Sequence, residues 1–204
     1  MTQEHYFTEE PTSRPSVREV RLLFNGRILT FKTGAGVFAS EGLDPGTELL
    51  VENMVLEGDE RVLDLGCGWG PIGIAAGLQL PRGSVVMVDV NRRALAFARQ
   101  NVREAGLQNV DIRAGGLYAP VAEDSFDVIA TNPPYHAGRE LLLRLLDEAP
   151  QHLSKRGRLL MVGKGSQGIR YYQQHLEAGW GSVEVLGRRG GFRVLEARQP
   201  LRSP

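Results

Sequence analysis

Two short runs of this 204-residue chain combine residue types that can act on a ligand. The first is NPPY, Asn132 to Tyr135, directly after the apolar run FDVIAT. An Asn ahead of proline is pushed toward extended backbone, and Pro133 and Pro134 bring no N–H donors, so the segment is stiff and rich in acceptors. A planar exocyclic amine has two hydrogens to give. The Asn132 side-chain oxygen and the Pro133 carbonyl make a matching pair of acceptors. They can hold the nitrogen in line with an alkyl donor and stabilise the positive charge it gains on attack. Tyr135 adds a ring on which a planar base or amide can stack, worth about 1–3 kcal/mol per base in single-strand binders. Asn132, Pro133, Pro134 and Tyr135 are the candidate catalytic residues.

The second run is DLGCGWG, Asp64 to Gly70, between an apolar strand-like segment and a helical one. Its glycines permit a tight turn with close backbone approach, and the helix start offers free N–H groups, which together make a nucleotide-type pocket. Gly68 to Gly73 also satisfies the dinucleotide pattern G-x-G-x-x-G, so the glycines alone do not choose the ligand. Asp64 does: a carboxylate ahead of the first glycine repels pyrophosphate and attracts an ammonium, which favours S-adenosylmethionine. Asp89, at the end of the next strand, suits the two hydroxyls of a ribose in either case, and Asn91 is placed to cap the following helix. The expected cofactor residues here are Asp64, Gly66, Gly68, Gly70, Asp89, Asn132 and Phe38; Phe38 either closes over the ligand or fills the core.

These runs need elements that bring them together. VREVRLLF and RILTFKT flank Asn25-Gly26, a pair suited to a type I′ turn, so a β-hairpin is expected, followed by a glycine-rich loop and a helix from about Pro45. From Arg61, the strands RVLDL, SVVMVDV, VDIRAG, FDVIAT and RLLMVG alternate with helices near 71–80, 92–105, 139–152 and 168–178. That alternation predicts an open α/β sheet, mostly parallel. SVEVLG and FRVLEARQ are joined by only Arg188 to Gly191, too short for a crossover helix, so they are expected to be antiparallel. The polar residues 1–16, with Pro11 and Pro15, predict a mobile arm, and residues 17–204 a single domain: hairpin and helix over 17–57, core over 58–204.

Bulk properties narrow the classes. No apolar run approaches the roughly 18 residues of a membrane span, and the stretch MTQEHYFTEE lacks the basic and apolar regions of a signal peptide, so a cytoplasmic protein is expected. The single cysteine, Cys67, excludes an internal disulfide framework and reads as a small turn residue; no metal site is expected. The net charge of zero divides unevenly. Up to residue 130 there are 12 Lys and Arg against 18 Asp and Glu, a balance of −6; from residue 131 there are 12 against 6, a balance of +6. The basic part is either a polyanion-binding patch or a set of solvated side chains. Trp69 reads as a packing or cofactor-edge ring, His136 as a rim residue and Arg193 as a strand-surface cation.

DLGCGWG with Asp89 and NPPY resembles the signature of class I S-adenosylmethionine-dependent amino-methyltransferases. GVFASEGLDPGTELLVEN, DVNRRAL, PPYHAGRE and GGFRVLEA are similar to the small-domain methyltransferases related to the guanine-N2 methyltransferases of small-subunit ribosomal RNA. The likeness runs from about His5 to Ala197. It implies a Rossmann-like seven-stranded, mostly parallel sheet with an antiparallel last strand, and an added N-terminal β-hairpin. It also implies methyl transfer to guanine N2 in ribosomal RNA or the small ribosomal subunit, with the protein acting as a monomer or homodimer. Asp64, Gly66, Gly68 and Gly70 would surround the methionine end, Asp89 the ribose, and Asn132 to Tyr135 the amine. Gly115-Gly116-Leu117 departs from the acidic or amide residue common near the adenine, which leaves backbone groups and an apolar wall at Leu117 for that task. Methylation of a protein glutamine amide or of adenine N6 presents the same planar amine. An NAD-dependent oxidoreductase and a non-catalytic nucleotide-binding assembly factor are the readings from other classes.

Overall fold

The computed structural model describes residues 16–39 and 42–201; the expected N-terminal arm lies, up to residue 15, outside the described residues. The hairpin forms as β1 (Arg18–Phe24) and β2 (Arg27–Thr33). Its turn has φ of 49° at Asn25 and 73° at Gly26, the two positive values that a type I′ turn demands. Alternation gives it two faces. Val20, Leu22, Phe24 and Phe31 are buried, while Leu23 and Ile28, paired across the strands, face outward. A loop follows, in which Gly34 is required because a Cβ there would lie 1.8 Å from the Ser16 carbonyl oxygen. Helix α1 (Pro45–Asn53) starts where expected: Asp44 caps it by accepting from the Thr47 N–H at 2.9 Å, and Pro45 occupies the first turn.

The remaining strands are β3 (Arg61–Leu65), β4 (Ser84–Asp89), β5 (Val110–Ala114), β6 (Phe126–Thr131), β7 (Leu153–Lys164), β8 (Trp180–Arg189) and β9 (Phe192–Pro200). They form one seven-stranded sheet in the order β5-β4-β3-β6-β7-β9-β8. β3 to β7 pair in parallel, and β9 runs antiparallel to both neighbours, so the last strand alone is reversed. The crossovers are α2 (Pro71–Gln79), α3 (Arg92–Glu104), α4 (Arg139–Glu148) and α5 (Ile169–Gly179). The helix expected over 139–152 stops at Glu148 and finishes as a tighter turn, Ala149–His152, containing Pro150, which has no N–H for an α-helical bond.

Covered on both sides, the central strands are almost wholly apolar. One cluster joins Val62, Val85, Met87 and Val128 to the hairpin, α1 and α2; the other joins Leu63, Val86, Ile129 and Met161 to α4 and α5. The hairpin is tied to the sheet through Asn101 on α3. Its Oδ1 accepts from the Lys32 N–H at 2.7 Å, and its Nδ2 donates to the carbonyls of Lys32 and Trp69, each at 2.9 Å. No described helix is long and apolar enough to cross a membrane.

Candidate active site at the β3–β6 switch point

From β3 the chain winds outward to β4 and β5, then returns to place β6 on the other side of β3, with Asp64 opposite Ala130. At such a reversal the two loops at the carboxyl ends of neighbouring strands diverge and leave a crevice. The turn after β3 is DLGCGWG and the loop after β6 is NPPY, so the fold brings both runs to one opening.

The glycine turn is set by backbone conformation. Gly66, Gly68 and Gly70 have φ of 77°, 57° and 97°, and a Cβ at Gly66 or Gly68 would meet nothing within 4 Å, so conformation rather than space requires glycine there. Gly73 is the opposite case: a Cβ would lie 2.6 Å from Met87 Cγ, so its absence lets α2 settle on β4. Asp89 holds the turn from the side, its Oδ2 accepting from the Gly68 N–H and its Oδ1 from the Asn91 N–H, both at 2.8 Å. Burial raises the Asp89 carboxyl above its ordinary value, with these N–H groups pulling the other way. Asn91 caps α3 through the Ala94 N–H at 3.0 Å.

Asp64 is fully buried and does not line the clefts that open beside the turn. Its Oδ2 accepts from the Gly73 N–H at 2.7 Å, while its Oδ1 has no hydrogen-bond partner among the described residues. Burial pushes its carboxyl up to about 7, and the neighbouring Asp89 charge adds to the rise. Burial also raises the Cys67 thiol, which makes it an inert turn residue. Among the described residues no three His, Cys, Asp or Glu side chains gather in a way that could hold a metal ion.

Two clefts open on either side of Gly66 and Asn132. The larger, about 580 Å³ to its mouth, runs past Asp89, Val90, Gly115, Gly116, Leu117 and Pro134. Leu117 has φ of 47° and forms a partly buried apolar wall. The smaller, about 340 Å³, is bordered by Phe38, Leu43, Asp44, Thr47 and the Cys67–Trp69 turn. Phe38 is 40% exposed, and its carbonyl accepts from the Trp69 indole N–H at 2.9 Å, so Trp69 is a packed ring that fixes the loop carrying Phe38. All the expected cofactor residues except Asp64 line one or both clefts or, like Gly70, shape the turn between them.

Asn132 is held by residues that sequence reasoning did not single out. Its Nδ2 donates to Asp44 Oδ2 at 2.8 Å and to Thr47 Oγ1 at 2.9 Å. The local signal, an Asp-Pro helix start, was legible; its contact with a loop 88 residues away was not. In the NPPY loop the Pro133 carbonyl accepts from the Tyr135 N–H at 2.9 Å, which leaves it one lone pair. The Tyr135 hydroxyl donates to the Val162 carbonyl on β7 at 2.8 Å, and burial raises its ionisation far above the phenol range. The ring is tilted against Tyr172 with centroids 5.9 Å apart, so Tyr135 is a fixed wall of the loop. His136 is exposed in the short turn Tyr135–Ala137.

Within the basic second part of the chain two sets stand apart, while Lys155, Arg156 and Arg188 are also exposed with no ion pair among the described residues. Arg144, Arg158, Arg189 and Arg198 are engaged with carboxylates; Arg158 is buried against Glu60 at 2.7 Å and Glu196 at 3.2 Å. Arg139, Lys164 and Arg170 are exposed, and among the described residues no ion pair engages them. They stand at the carboxyl ends of β6 and β7, on the side of the crevice. The Arg139 guanidinium lies 5.1 Å from the centroid of the exposed Tyr171 ring, and Lys164 Nζ lies 5.3 Å from that of Phe192. Arg193 donates to Gln173 at 3.1 Å.

A seven-stranded sheet with a reversed last strand, a glycine turn after β3, an acidic residue ending β4 and an NPPY loop after β6 define a Rossmann-like methyltransferase. The family model described as "Methyltransferase small domain" matches residues 28–196, and the chain belongs to that family. It is 29% identical over 198 residues to the uncharacterized protein YbxB of Bacillus subtilis, covering 96% of this chain and 98% of that one. It is 33% identical over 174 residues to ribosomal RNA small subunit methyltransferase C of Haemophilus influenzae, covering 83% of this chain and 51% of that enzyme. A solved structure, the 16S rRNA N2 G1207 methyltransferase of T. thermophilus in complex with AdoMet and guanosine, matches with a TM-score of 0.79. That match has 23% identity over 93% of this chain and 52% of the other, and is a likeness of fold. The chain spans about half the length of these two enzymes.

Proposed function

We propose that this protein transfers a methyl group from S-adenosylmethionine to the exocyclic N2 of a guanine in small-subunit ribosomal RNA, acting in the cytoplasm. Residues 17–204 serve as one methyltransferase domain in this reading. The observation that carries it is the setting of Asn132. Its amide nitrogen is occupied by Asp44 and Thr47, which leaves Oδ1, without a donor among the described residues, as the acceptor this side chain offers at the junction of the two clefts. A planar amine is the donor that such an acceptor fits; the Haemophilus enzyme directs the choice of small-subunit ribosomal RNA, and the T. thermophilus enzyme that of guanine N2.

The cleft residues fit the cofactor. Gly115 and Gly116 leave a wall without side chains beside Leu117, suited to a flat adenine, and Asp89 borders the same cleft with lone pairs left for ribose hydroxyls. When bound, S-adenosylmethionine supplies an electrophilic methyl on a positively charged sulfur. Asn132 Oδ1 and the Pro133 carbonyl accept the two amine hydrogens and turn the nitrogen lone pair toward that methyl. As the new N–C bond forms and the C–S bond breaks, positive charge builds on nitrogen. The same two oxygens stabilise it without reorganising. The alkylated amine is then acidic enough to release a proton to water, so no side chain is needed as a strong base.

Reaching a guanine inside a helix requires unstacking it, at a cost of a few kcal/mol. Arg139, Lys164 and Arg170 are placed to offset this cost through phosphate contacts beside the opening, with Tyr171 offering a ring under Arg139. Mass spectrometry of ribosomal RNA nucleosides from a deletion strain and its parent tests the proposal. Loss of one N2-methylguanosine is expected. An unchanged nucleoside profile, or loss of N6-methyladenosine instead, would replace it.

A further inference from the structure

We infer that Asp44 and Thr47, at the start of α1, are positioning residues that lock the amide of Asn132 in the orientation needed to accept the substrate amine. This rests on the acceptor role proposed for Asn132. The Asn132 amide nitrogen has two hydrogens, and both are taken, by Asp44 Oδ2 at 2.8 Å and Thr47 Oγ1 at 2.9 Å. A carboxylate can only accept, so the nitrogen must face it; a flipped amide would set Oδ1 against another acceptor. Oδ1 is thereby held on the other arm of the amide, and among the described residues it meets no donor.

Helix capping does not account for the arrangement. The cap is complete once Asp44 Oδ2 accepts the Thr47 N–H at 2.9 Å, yet the same oxygen also takes a hydrogen from Asn132, 88 residues along the chain. The buried Thr47 hydroxyl supplies the second contact although a β-branched residue gains a helix nothing there. The neighbouring sequence keeps this geometry open: a Cβ at Gly46 would lie 2.9 Å from both Asp44 Oδ2 and the Phe192 ring of β9. The N-terminal segment thus does more than cover the sheet. Its first helical turn completes the site by fixing an atom on β6's loop.

The test separates capping from positioning. Ser caps helices about as well as Asp, but its hydroxyl is one bond shorter and cannot meet Asn132 as well, and Thr47→Val removes the second acceptor at nearly constant shape. For D44S/T47V we expect turnover to fall about 100-fold, the loss associated with a misplaced reacting group, while S-adenosylmethionine affinity and melting temperature stay near wild type. Asp44→Asn alone, which keeps an oxygen at the contact point and leaves Thr47 in place, should lose little turnover. In an Asn132→Ala background the D44S/T47V pair should add no further loss. If Asn132→Ala lowers turnover and D44S/T47V does not, or if the two losses multiply, the positioning role is overturned and the acceptor role stands. If Asn132→Ala itself leaves turnover intact, the acceptor role falls and the positioning role falls with it.

Discussion

Replacing Asp64 by Asn should change the pH dependence of stability in a way that follows from its burial. Asp64 is inaccessible to solvent, has one oxygen on the Gly73 N–H and one without a partner among the described residues, and its carboxyl is pushed from an ordinary 3.8 up to about 7. Between those values the folded state holds a proton that the unfolded chain has lost. Stability contributed by the neutral carboxyl is therefore present at low pH, falls as pH rises toward 7, and is gone above it. A single-proton difference is worth about 1.4 kcal/mol per pH unit, so the wild type should lose about 3 kcal/mol between pH 5 and pH 8. Asn is neutral throughout, has nearly the same shape, and can offer its oxygen to Gly73. Urea unfolding of both proteins at pH 5, 6, 7 and 8 measures the effect. The advantage of Asp64→Asn over wild type should grow by about 3 kcal/mol and then level off. Parallel stability curves would show that Asp64 is ionised in the folded protein across this range and would refute the inference from burial.

Asp89→Ala should weaken S-adenosylmethionine binding in calorimetry by about tenfold or more, because it removes the proposed ribose acceptor and frees the Gly68 and Asn91 N–H groups it now holds; an unaltered isotherm would contradict the ribose assignment. Charge reversal of Arg139, Lys164 and Arg170 together should weaken RNA binding in fluorescence anisotropy. The slope of log affinity against log salt should flatten by about 0.7–0.9 for each phosphate that is no longer neutralised. Reversal of Lys155 and Arg156, at the other end of β7, should leave both nearly unchanged. Gly73→Ala should cost about 1–3 kcal/mol in urea unfolding, since its Cβ would press on Met87 at 2.6 Å; wild-type stability would show that α2 can move away from β4 at no cost.

Local chemistry made much of the fold legible. Asn25-Gly26 dictates its turn because both residues accept positive φ, and the run from Arg61 declares strands and helices through lengths and apolar patterning. The short link between the last two strands left only an antiparallel pairing, which β8 and β9 adopt. The two site runs could be paired because each ends a strand, and the strand order then made them neighbours. What could not be read depends on residues far apart in the chain. Asp44 and Thr47 look like an ordinary helix start until the fold brings Asn132 to them. Asp64 reads as a ligand contact by its place before the glycines, yet the turn folds over it and leaves it bracing Gly73. The excess of Arg and Lys after residue 130 gives no hint of which ones are buried against carboxylates, as Arg158 is, and which stand exposed beside the crevice, as Arg139 does.

Methyl transfer to the purified substrate is the decisive measurement. Small ribosomal subunits and their protein-free RNA, both from the deletion strain, would be incubated with the protein and S-adenosylmethionine carrying a labelled methyl group. The RNA would then be digested to nucleosides for mass analysis. Label is expected in N2-methylguanosine, and its loss with Asn132→Ala at unchanged cofactor binding. Label in another nucleoside or in a ribosomal protein, or N2-methylguanosine formed equally well by Asn132→Ala, would contradict the proposed reaction.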